Sequence, residues 1–153
     1  MFIADQTILE ETPLHSHSDM TRQLEELEAH AQALRLADEA TPYVLSDLVT
    51  FTDQFGAQMQ AHIAEEEEQF FPHLKPRYTP AHHKKLDEIL QQHRDLEHSF
   101  QVFREHLEEA EASPHQLPPD LVEAIFTRVR LLRYAFTIHC MEEEEFFHSL
   151  RKL

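Results

Sequence analysis

Glycine is almost missing from this chain: 153 residues contain only Gly56, and there is no tryptophan. A single glycine cannot build a Gly-rich phosphate loop or a sheet protein full of tight turns. Cysteine is nearly absent as well. The lone Cys140 has no partner for a disulfide within the chain, so nothing asks for an oxidising compartment. Positive charge is scarce, with 13 Lys and Arg against 29 Asp and Glu and a formal charge of -16. Such a chain repels phosphate backbones and anionic lipid headgroups, which speaks against nucleic-acid and membrane-surface roles. No apolar run approaches the length of a membrane span, and the N-terminal MFIADQTILEETP lacks the basic start and apolar centre of a leader. The expectation is one soluble domain over 1–153, in the cytoplasm.

What is plentiful is histidine, 13 residues scattered from His15 to His148. Prolines punctuate the chain between them. Thr12-Pro13, Thr41-Pro42 and Thr79-Pro80 each set a capping hydroxyl before a proline at the first helical position. A proline-rich turn, Ser113 to Pro119, ends at the capping-type Asp120. Between these breaks run Glu, Leu, Ala, Gln and Arg with apolar residues spaced three and four apart. The pattern predicts an irregular lead over 1–11 and four helices, roughly 13–39, 42–71, 80–111 and 119–150. Long helices with short connections form an all-α, antiparallel up-down-up-down four-helix bundle.

Each helix carries one apolar stripe, and histidine or glutamate intrudes into it near one level. The first stripe runs Leu14, His17, Leu24, Leu27, Ala31, Leu34; the second Leu48, Phe51, Phe55, Met59, His62, Glu66, Phe70. The third runs Leu86, Ile89, His93, Leu96, Phe100, Phe103, Leu107; the fourth Val122, Ile125, Val129, Leu132, Phe136, His139, Glu143, Phe146. Three His-x-x-x-Glu pairs occur, His62/Glu66, His93/Glu97 and His139/Glu143. In a chain so rich in both residues that spacing is weak evidence, although it does put both side chains on one helical face. Placement is stronger evidence. A buried carboxylate without a partner costs several kcal/mol, and no Lys or Arg shares these stripe levels. A metal ion is the economical counter-charge.

The pairs also repeat. His62-Ile-Ala-Glu-Glu66-Glu-Glu-Gln-Phe-Phe71 matches His139-Cys-Met-Glu-Glu143-Glu-Glu-Phe-Phe147. The apolar neighbours of His17 (Leu14, Leu24, Leu27) sit at the same offsets as those of His93 (Leu90, Phe100, Phe103). Counted from the turns near 41 and 116, all four histidines lie about 32–36 Å from one end of the bundle. His17, His62, Glu66, His93, His139 and Glu143 therefore form a nitrogen–oxygen set suited to two ions. Bridging carboxylates favour iron or manganese, and a structural zinc would leave two of the six unused.

The pattern resembles the hemerythrin-like, HHE cation-binding domains over roughly 13–150. The quoted features are one His on the first helix, His-x-x-x-Glu running into Phe-Phe-Pro on the second, Gln-His-Arg-Asp-Leu on the third, and His-x-x-x-Glu on the fourth. The stretch His17 to Leu27, with Ala61-His62 to Pro72, is most similar to the di-iron branch that repairs iron–sulfur clusters. The cysteine-bearing N-terminal domain common in that branch is expected to be lacking here. The resemblance implies a cofactor of two iron ions, with zinc or manganese as alternatives. It makes His17, His62, His93 and His139 terminal ligands, with Glu66 and Glu143 as bridges. Oxygen carriers of the family have a second His where this chain has Glu97, an additional candidate ligand beside a plain solvated role. The implied partner is a diatomic ligand, oxygen or nitric oxide, with protein partners open. The alternatives are iron donation for cluster repair, ferroxidase or peroxide chemistry, or a ligand-responsive sensor.

Other residues read more plainly. Glu65 and Glu142, three residues after their histidines, compete for a place at the site. The runs Glu65–Glu68 and Glu142–Glu145 are otherwise solvated faces. His15, His30, His73, His82, His83, His98, His106, His115 and His148 lie off the stripes or near turns and are read as surface residues, His98 being the strongest exception. Cys140 is read as an inert buried thiol, and the phenylalanines as core that also forms a dry wall.

Overall fold

In the computed structural model, residues 2–37 and 41–151 are described, with side chains from residue 16 onward; Leu14 and His15 fall outside the described side chains. The chain order is α1 (Phe2–Leu36), α2 (Thr41–Glu65), a π-helical turn (Glu66–Phe70), α3 (Phe71–Leu74), a 3-10 turn (Lys75–Arg77), α4 (Pro80–Ala112) and α5 (Pro119–Arg151). The long helices pack in the cyclic order α1–α2–α4–α5, the arrangement of an antiparallel four-helix bundle. No strand occurs among the described residues.

The helix ends follow local chemistry. Thr79 caps α4: its hydroxyl accepts the His82 amide while His82 Nδ1 accepts the Thr79 N–H at 3.0 Å, and Pro80 follows in the first turn. Asp120 is not a cap. It lies inside the first turn of α5, where a negative charge faces the positive end of the helix dipole. Two further expectations are corrected. α1 does not start at 13 but at Phe2, because residues 2–12 hold no glycine or proline and Pro13 removes only one amide from the ladder. The second helix is not continuous to 71. Its last part opens into the π turn, whose wider winding lets Glu66, Phe70, Phe71 and Leu74 all face inward.

Two apolar clusters fill the bundle. The larger contains Met20, Leu24, Leu27, Phe55, Met59, Leu96, Phe103, Ile125, Leu132 and Phe136, among others. The smaller is built from Phe71, Leu74, Ile89, Phe146, Phe147 and Leu150. Gly56 earns its place beside the first: a Cβ there would meet Phe100 Cζ at 2.5 Å, so its bareness admits the ring against α2. Between the clusters lies a layer of buried polar side chains. Thr52 aside, the buried polar residues among those described are His17, His62, Glu66, His93, His139 and Glu143.

Candidate metal centre

All six residues of the sequence-derived set converge on this layer. One group that could hold a metal ion consists of His17, His62, His139 and Glu143, the other of Glu66, His93, His139 and Glu143; within each, the donor atoms lie within 4.8 Å of one another. The Glu143 carboxylate stands between two histidine pairs. Its Oε1 lies 2.8 Å from His17 Nε2 and 3.6 Å from His62 Nε2. Its Oε2 lies 2.9 Å from His139 Nε2 and 3.5 Å from His93 Nε2. Glu66 Oε1 reaches the other diagonal, 2.9 Å from His62 Nε2 and 3.2 Å from His93 Nε2. Each carboxylate thus touches imidazoles of both pairs.

Burial makes this arrangement costly as it stands. Glu66 and Glu143 are 1% and 0% exposed. Seven buried side-chain atoms of these six residues lack a hydrogen-bond partner: His17 Nδ1, Nε2 of His62, His93 and His139, both Glu66 oxygens, and Glu143 Oε2. Unsatisfied buried polar atoms on this scale ask for a ligand, and a donor set of imidazole nitrogens and carboxylate oxygens fits a transition-metal cation. The two carboxylates settle their repulsion unequally. Burial, then the negative charge of Glu143, pushes Glu66 well above the usual carboxylate range. Burial works on Glu143 in the same direction, but contacts with Glu66, His139, His17 and His62 outweigh it and hold it well below that range. Burial likewise lowers His62. His17 is also opposed by burial, yet Glu143 and Glu144 raise it above its ordinary value.

The far nitrogens of His93 and His139 are held too. His93 Nδ1 donates to Glu67 Oε2 at 2.7 Å, and Arg94 donates to the same oxygen. His139 Nδ1 donates to Gln92 Oε1 at 2.8 Å, while the Gln92 amide donates to Glu142. His17 Nδ1 lies 3.5 Å from Glu144 Oε1 without a hydrogen bond. A proton kept on Nδ1 leaves the Nε2 lone pair facing the centre, the orientation a metal needs. These outer partners were missed by the sequence reading. Glu67 and Glu144 belong to runs read as solvated faces, Glu142 was a candidate for the site itself rather than for its outer ring, and Gln92 carried only a motif. Their signal was adjacency: each is the immediate neighbour of a member of the set.

The remaining candidates lie elsewhere. Glu97 is 42% exposed and pairs with Arg94 at 3.1 Å, outside both groups. Glu65 is in neither group, and Glu142 turns outward to Gln92 and Lys85. His98 is exposed, as are His73, His83, His115 and His148. His30 stacks on Phe51 at 4.5 Å. Cys140 is buried, and burial pushes its thiol up.

Residues 11–151 match the Hemerythrin HHE cation binding domain. The chain belongs to the hemerythrin HHE cation-binding family. No curated protein and no solved structure matches it. The family's fold is the observed all-α bundle, and metal binding is the role its name and the His/Glu cluster share. No described helix is long and apolar enough to cross a membrane.

Proposed function

We propose that this hemerythrin-family chain is a non-haem di-iron protein that binds oxygen or nitric oxide, or reacts with oxidants, in iron handling or stress response. In this reading His17, His62, His93 and His139 are terminal ligands, and Glu66 and Glu143 bridge. The observation that carries it is Glu143: a fully buried carboxylate with one oxygen toward His17 and His62 and the other toward His93 and His139. That divided reach suits two ions better than one. Bound iron supplies redox chemistry and open positions for a small ligand.

The protein's own part is positional. Glu67 and Gln92 fix the rings of His93 and His139. Phe136 sets its edge against His17, and Phe71 stacks on His93, walling the layer from water. An open cleft of about 400 Å³, lined by His17, Ser18, Thr21, Arg22, Glu25, Cys140 and Glu144, leads from solvent to His17. Its acidic wall, Glu25 and Glu144, favours a second reading in which iron passes in and out, as in donation for cluster repair.

Metal analysis of protein purified without added iron, followed by stopped-flow absorption, tests the proposal. The expected result is two irons per chain and a ligand band that reverses when the gas is removed. Glu66→Ala and His139→Ala lose metal while His115→Ala keeps it; equal metal in all three would defeat the assignment. Iron released to a chelator without a stable band would favour donation.

A further inference from the structure

The outward face of α5 carries a second pattern, on the side of the helix turned away from the metal layer. Leu131, Tyr134, Ile138 and Met141 are 49%, 69%, 39% and 65% exposed. Their spacing of three, four and three residues keeps them within about 80° of one another around the helix. Large apolar side chains scattered singly need no explanation, but an aligned row on one helix does. The spacing is that of the seam of a two-helix coiled coil.

The charges beside the row say what covers it. One flank carries Arg128, Ala135 and Glu142; the other carries Arg130, Thr137 and Glu144. Within the chain Arg130 also faces Glu28 at 3.8 Å, Glu142 faces Lys85 at 3.6 Å and Glu144 faces His17 at 3.5 Å, so pairing across the seam shares or exchanges these contacts. On each flank the basic residue is toward the start of the helix and the acidic residue toward its end. Two parallel copies would hold arginines level with arginines and glutamates level with glutamates. An antiparallel copy reverses this. With the twofold axis near residue 136, Leu131 meets Met141 of the other copy and Tyr134 meets Ile138. The same register sets Arg128 against Glu142 and Arg130 against Glu144 on both sides of the seam. Ala135 and Thr137, small residues, fall where each helix crosses its own copy. Beyond the row, Thr127 falls level with Glu145 and Ala124 with His148.

We propose that this face binds a second copy of the chain, two α5 helices packing antiparallel around a twofold axis near residue 136. The interface is isologous, so the one stripe serves both partners. Attraction between the flanks offsets locally the repulsion expected between two chains of charge -16. The centre of each bundle faces away from the seam, since His139, Glu143 and Phe136 are buried on the opposite side of α5.

Sedimentation of the full chain from micromolar to millimolar concentration reads the assembly directly. A reversible dimer is expected. Ile138→Glu abolishes it while leaving the helical circular dichroism unchanged, and Arg128→Glu with Arg130→Glu raises the dissociation constant about tenfold at low salt. Nitroxide labels decide the direction. A label at Thr137→Cys meets its own copy at short range, whereas labels at Asp120→Cys lie about 48 Å apart along the axis. A chain that stays monomeric at every concentration overturns the proposal. So does a dimer indifferent to Ile138→Glu, or one in which both label positions are equally close.

Discussion

Two neighbouring levels of one bundle obey opposite rules. At the level of Phe55, Phe103 and Phe136 the four helices meet through buried rings and aliphatic chains, Phe55 and Phe136 in edge contact at 6.4 Å. A turn or two along, the same helices meet through His17, His62, Glu66, His93, His139 and Glu143, equally buried but leaving seven polar atoms without partners. The apolar level is complete in itself. The polar level is complete only with something added, so stability and function separate along the bundle axis.

The largest effect that would sharpen this contrast is Phe103→Ala. Removing a fully buried ring should cost about 3–5 kcal/mol, read by denaturant unfolding, and the loss should be similar with and without iron. His139→Ala should behave the other way. Both candidate groups share His139, so metal affinity should fall by more than the roughly 10–100-fold that loss of an outer partner costs, while the metal-free melt changes little. A drop in metal-free stability as large as that of Phe103→Ala would erase the distinction between the two levels.

Glu66→Gln isolates the stored repulsion. Glu66 is raised in the metal-free fold, so its stabilising contribution is complete below the ordinary carboxylate value and is lost as pH rises through its elevated pKa. Glu143 is depressed, so its contribution is present above the ordinary value and fades only as pH falls through the lowered one. Above neutrality the metal-free Gln variant should therefore be more stable than the parent by about 1–2 kcal/mol, near 4 °C in Tm. It should also show a flatter dependence of Tm on pH from the ordinary carboxylate value upward. Thermal melts over a pH series check both. The smallest effect belongs to Gln92→Ala, which frees His139 Nδ1. Iron affinity should drop about tenfold with no change in unfolding of the metal-free chain.

Much of this was legible in the sequence because its signals are local. The i,i+4 spacing of His62 with Glu66 and His139 with Glu143, and their position inside apolar stripes, identified the layer before any contact was known. The same periodicity failed at Glu66–Phe70, where a π turn replaces the α-helix: no residue type there announces a wider winding, and inward packing of Phe70 and Phe71 selects it. It also failed within the glutamate runs. Spacing singled out Glu66 and Glu143 from their runs, but only the neighbouring helices place Glu67 on His93 and Glu142 on Gln92.

The sequence by itself determined the four-helix architecture and the six side chains that share a level, since helical periodicity and burial cost act through residues a turn apart. Tertiary structure alone decided which carboxylate is pushed up and which is held down, which ring nitrogens are held from behind, and which face of α5 is left bare. Those outcomes depend on distances between atoms from different helices, such as His17 and Glu143, 126 residues apart, and no local pattern encodes such distances.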